Sequence, residues 1–140
     1  MSYNNGELRP GLIAKDLEGY LYVMTTIKPN TSVTLNGTTV SGGNLGVGAI
    51  IKYDSNQNPV LIKEIPFVIQ ASDNIAPHKF IFQNGSLYLF TVYRQDNVSM
   101  NGISFPPISF INGTAGAGNL VLIKMDATNL QTKWIKLIKS

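Results

Sequence analysis

Apolar residues in this chain come in short runs rich in Ile, Val, Leu, Tyr and Phe, broken by clusters of Gly, Asn, Asp, Ser and Thr. Runs of that length and composition, bounded by turn residues, read as β-strands. In the first half they predict strands over Leu12–Lys15, Tyr20–Ile27, Ala49–Tyr53 and Val60–Ile65. In the second half they predict Lys79–Phe82, Leu87–Tyr93, Leu120–Met125 and Lys133–Ile138. Asn36-Gly37 and Asn101-Gly102 each mark a small hairpin, because Asn-Gly supplies the positive φ angles that a two-residue hairpin turn demands. Asp16–Gly19 and Asp54–Pro59 read as polar turns, and Ser41–Gly48 and Asn112–Gly118 as glycine-rich loops.

The two halves match block by block. Gly19-Tyr-Leu-Tyr-Val23 returns as Gly85-Ser-Leu-Tyr-Leu89, and Ser32–Val40 returns as Asn97–Phe105 around the shared Asn-Gly. Ala49-Ile-Ile-Lys-Tyr-Asp54 returns as Val121-Leu-Ile-Lys-Met-Asp126, and Leu61–Ile65 as Trp134–Ile138. Matched blocks in the same order define an internal repeat. The predicted organisation is a single all-β unit over residues 1–140 made of two copies, about 10–65 and about 78–138, joined by a linker over 66–77. Each copy is a four-stranded antiparallel meander with a hairpin inserted between its second and third strands.

Tandem antiparallel meanders are the sequence form of propeller blades. Gly11-Leu-Ile-Ala-Lys-Asp-Leu-Glu-Gly-Tyr-Leu-Tyr-Val23, then Val33-Thr-Leu-Asn-Gly-Thr-Thr39, then Gly48-Ala-Ile-Ile-Lys-Tyr-Asp-Ser-Asn-Gln-Asn-Pro-Val-Leu61 resembles the bacterial SBBP-type β-propeller repeat. Trp134 stands where that repeat ends its last hairpin in Trp, and Leu61 takes the place in the first copy. The resemblance implies blade-like sheets and says almost nothing of function. Two blades are too few to close a ring, since propellers use about 4–8. The expectation is therefore a β-propeller completed by oligomerisation, with three chains favoured and two or four open. The alternative is a β-sandwich formed by stacking the two copies.

Composition narrows the partners. Charged residues make up 14% of the 140 residues, below the roughly 25% of ordinary soluble domains, which leaves surface free for neighbouring subunits. The net charge of +3 comes from basic residues scattered singly, apart from Lys133, Lys136 and Lys139. That is not the basic stripe of a nucleic-acid binder. With no cysteine there is neither a disulfide framework nor a thiolate zinc site. No apolar run reaches the ~18 residues of a membrane helix, and the N-terminus lacks the pattern of a signal peptide. The compartment stays open, with a cytoplasmic or virion-associated location compatible.

Candidate chemistry is sparse. His78, the single histidine, has no Cys or second His to share a metal and no Gly-x-Ser-x-Gly elbow to serve. Asp54 and Asp126 hold equivalent repeat positions at the start of turns, where Asp accepts backbone N–H bonds. The glycine-rich loops lead into strands rather than helices, unlike phosphate cradles. The tail Asn129–Ser140 would make a basic amphipathic helix at helical spacing, but its counterpart in the first copy is a strand. Tyr22, Tyr88 and Trp134 are core aromatics first and sugar-stacking platforms second.

The expected function is a non-catalytic structural or binding module that self-assembles through its blade faces and presents loops for recognition. A carbohydrate-binding lectin is one alternative, and a virion or tail-associated structural protein another. No enzyme activity, cofactor, metal, nucleic acid or membrane is expected. The expected partner is the chain itself, with a glycan or protein ligand possible at Tyr22, Tyr88, Asp54, Asp126 and Trp134.

Overall fold

The computed structural model describes residues 12–44, 46–65, 75–93, 98–106 and 119–139. They form β-strands and no helix. The chain divides into two compact units, Met1–Ala71 and Ser72–Ser140.

In unit one, β1 (Ile13–Lys15), β2 (Leu21–Ile27), β5 (Val47–Tyr53) and β6 (Pro59–Ile65) make a four-stranded antiparallel sheet in the order β1-β2-β5-β6. The hairpin β3 (Ser32–Leu35) and β4 (Thr38–Ser41) branches from the β2–β5 connection. In unit two, β7 (Ile75–Gln83), β8 (Ser86–Tyr93), β11 (Asn119–Asp126) and β12 (Thr132–Lys139) repeat the sheet. There β9 (Ser99–Met100) and β10 (Ile103–Ser104) form the inserted hairpin. All-β architecture, two four-stranded antiparallel sheets and a hairpin in each copy agree with the reading of the sequence.

The turns follow from side-chain chemistry. Asn36-Gly37 has φ of 48° and 80°, Asn84-Gly85 has 50° and 77°, and Asn101-Gly102 has 53° and 76°. Positive φ at both central positions matches the right-handed twist of the flanking strands, and Asn and Gly enter that region most cheaply. One difference from expectation lies in β7, which starts at Ile75 rather than Lys79 and runs through Pro77. Proline lacks the N–H that a ladder uses, and the register with β8 slips between Pro77 and Lys79. His78 sits at that slip.

Side chains of each sheet alternate between two faces. Cross-strand register puts Tyr22, Lys52 and Leu61 in one row of unit one, and Tyr88, Lys124 and Trp134 in the equivalent row of unit two. We call the side bearing these rows the lysine face. The opposite face of unit one carries Val23, Ile51 and Ile62, and that of unit two Leu89, Ile123 and Ile135. In unit one the inserted hairpin folds over part of this opposite face: Val40, with Val33 and Leu35, packs on Ile27, Ala49 and Ile62. Ile27, Val40 and Ile62, almost fully removed from water, each stabilise the fold by about 1.5–3 kcal/mol.

Candidate functional site

The most chemically distinctive surface is the lysine face of unit two. β8, β11 and β12 hold Tyr88, Lys124 and Trp134 side by side because the three positions are direct cross-strand neighbours. The Tyr88 and Trp134 rings meet edge to face, with centroids 6.3 Å apart and planes at 60°. The Lys124 ammonium lies 5.7 Å from the Tyr88 centroid and 5.9 Å from that of Trp134, while Lys136 stands 4.5 Å above Trp134. Each such cation–ring contact at a wet surface is worth about 0.5–1 kcal/mol, enough to hold the lysines over the rings. Phe90 and Leu122 continue the face, both half-buried.

Unit one repeats the lysine but not the platform. Lys52 lies 4.7 Å from the Tyr20 centroid and 5.3 Å from that of Tyr22, and Leu61 stands where unit two has Trp134. Tyr22 is buried, and its hydroxyl donates to Asp16 Oδ2 at 3.0 Å. Burial pushes the Tyr22 phenol well above its ordinary range, and the neighbouring Asp16 carboxylate adds to the rise because it would repel a phenolate. Asp16 is fixed in turn: its Oδ1 accepts from the amides of Glu18 and Tyr20, each at 2.9 Å.

The expected ligand residues therefore divide. Tyr88 and Trp134 come together, whereas Tyr22 is a buried, hydrogen-bonded side chain. Asp54 Oδ1 accepts from the amides of Asn56 and Asn58, each at 2.9 Å. Asp126 Oδ1 accepts from the Thr128 amide at 2.7 Å, and its Oδ2 lies 3.8 Å from the Lys133 ammonium. Both aspartates spend oxygens on the turns they open, as side chains at such positions commonly do. The loop Asn112–Gly118 and most of the linker 66–77 lie outside the described residues. Among the described residues no group of three or more His, Asp or Glu side chains gathers to hold a metal ion.

Reading the sequence for ligand residues missed the lysines. Lys52 and Lys124 share one repeat position within the matched blocks Ile-Ile-Lys-Tyr-Asp and Leu-Ile-Lys-Met-Asp, so the signal was their recurrence. Strand pairing then sets each beside the shared tyrosine, Tyr22 or Tyr88. Also missed was a cleft of about 270 Å³ on the opposite face of unit one, lined by Leu21, Val23, Tyr53 and Gln57. Its volume lies at the lower edge of the roughly 300–1,000 Å³ of small-molecule sites.

Chemically, the lysine face of unit two offers aromatic rings and ammonium groups; it can stack, pack and hold anions. No family model, curated protein or solved structure matches this chain.

Proposed function

We propose that the protein is a non-catalytic structural or binding module that works by self-assembly, its two units acting as blades of a β-propeller that other copies complete. The observation that carries this reading is the apolar surface left on both units. Leu120, Leu122, Phe90, Val92, Tyr88 and Trp134 in unit two are all only half-buried. Ile13 in unit one is 43% exposed, beside half-buried Leu21 and Tyr53. Contiguous apolar surface of this kind marks an interaction site rather than ordinary exposure. Three chains would bring six blades together, within the range that closes.

Light scattering on the intact chain at micromolar concentration tests this. The expected mass is a multiple of 15.3 kDa, three chains favoured. A monomer at every concentration would remove the reading.

A carbohydrate-binding role is the second reading, and the Tyr88–Trp134 pair favours it, because flat rings beside donors are how proteins grip sugars. It is the weaker one: unit one has Leu61 in place of Trp134 and a buried Tyr22, so the pair is not repeated. Glycan-array binding that Trp134→Ala abolishes would promote it.

A further inference from the structure

Comparison of the two copies, position by position, reveals an inversion. On the lysine face, Tyr22, Met24 and Ile50 of unit one are buried to 1%, 0% and 0% exposure. Their counterparts in the repeat, Tyr88, Phe90 and Leu122, are all open to solvent in part. Lys63 is half-buried while its counterpart Lys136 is exposed. The opposite face runs the other way. Val23 at the cleft floor of unit one is buried, but of the other cleft residues Leu21 and Tyr53 are half-buried and Gln57 is exposed. Their counterparts Leu87, Met125 and Leu130 in unit two are each at 0% exposure. At these equivalent positions each kind of face is buried in one copy and open in the other, although Val23 and Ile62 of unit one are buried and Leu137 of unit two is 46% exposed.

From this we infer that a second copy of the chain covers these faces head to tail: the lysine face of its unit two seats on the opposite face of unit one, with Trp134 entering the Leu21–Val23–Tyr53–Gln57 cleft. The inference rests on the self-assembly proposed above and specifies its surfaces. The repeat itself argues for this match, since the central positions of each face, Tyr22, Met24 and Ile50 in one copy and Leu87, Leu89 and Met125 in the other, are already buried. Burial at the covered copy supports it too: removal from water lowers the Lys63 pKa below its ordinary value, with Glu64 opposing, so this face accommodates a partly desolvated lysine. Charge argues against the other arrangement. Pairing two lysine faces with each other would set Lys79, Lys124 and Lys136 against their own copies, and like charges brought together destabilise. The opposite face of unit one is edged by both Glu64 and Lys15, so it carries no such surplus. A contact between unlike surfaces is heterologous, and it generates a ring when the rotation closes.

Complementation between blocked copies tests this. Leu21→Arg blocks the cleft, and Trp134→Arg blocks the lysine face; both positions are half-buried, so neither change empties a sealed core. Each variant alone is expected to be a monomer with wild-type circular dichroism. Mixed in equal amounts, the two are expected to double in mass to a heterodimer, because each retains the surface the other has lost. Variants that assemble as the wild type does would overturn the inference while leaving self-assembly standing. A wild-type chain that is itself monomeric would remove both. A second measurement does not depend on either arginine. The chain has no cysteine, so Gln57→Cys and Lys136→Cys, both exposed, report contacts without background. Disulfides in the mixture but in neither variant alone are expected, and disulfides formed equally within each single variant would replace head-to-tail with like-to-like pairing.

Discussion

The phenol of Tyr22 donates to the Asp16 carboxylate at 3.0 Å in a place water scarcely reaches, and burial and carboxylate together oppose its ionisation. The folded state thus holds this proton more tightly than the unfolded chain, whose tyrosines titrate near pH ~10. With more protons bound in the native state, stability is flat below about pH 10 and falls as pH rises above it. Denaturant unfolding below and above that point should show the loss, and Tyr22→Phe should abolish Tyr22's share of it at a cost of about 1 kcal/mol near neutrality for the missing hydrogen bond. Equal loss in both proteins would place the titrating group elsewhere. Tyr88 shares the repeat position but is only half-buried. The matched blocks made both tyrosines visible in the sequence. Their different fates were not, because alternation assigns a side chain to a face without saying whether that face is covered.

At the scale of elements, one asparagine does two jobs in each hairpin. Asn101 accepts positive φ at the turn, and its Oδ1 accepts from both the amide of Thr132 at 3.0 Å and its hydroxyl at 2.9 Å. That ties β9–β10 to the edge strand β12. In unit one Asn36 does the equivalent, donating from Nδ2 to the carbonyl of Val60 on β6. Asn101→Gly keeps the turn and loses the tie, so it should destabilise by about 1–3 kcal/mol, chiefly because the nearly buried Thr132 loses its partner. Asn101→Ala also strains the turn and should cost more. Thermal melts of the two variants separate tie from turn, and equal melts would mean that the tie contributes nothing. Asn-Gly spacing made these hairpins legible, and short apolar runs did the same for the meander. The start of β7 escaped because Pro77 is a reason to end a strand. Here it occurs where the ladder slips, and the strand continues past it to Gln83.

For the whole molecule, the decisive property is that equivalent positions of the two copies differ in how far they are buried, and this belongs to no single residue or strand. Both faces of both sheets are apolar, so composition leaves open which would be wet. Half-open apolar faces on a sparsely charged chain would make stability depend on company if copies seat on them. If copies cover one another, the folded state is stabilised by mass action, and each tenfold rise in concentration should raise the melting temperature by roughly 3–6 °C for a chain of this size. A melting temperature that ignores concentration would argue that the faces stay open. The protein carries its own reporter for the proposed contact. Trp134 is the sole tryptophan and stands half-buried on the lysine face of unit two. Dilution through the assembly transition should move its emission to longer wavelength and open it to a soluble quencher, in step with the fall in mass. If the mass falls while emission and quenching stay constant, the chain assembles through some other surface. If both change along one concentration curve, separating the copies is what exposes the ring, and the open face of one copy is the covered face of the assembly.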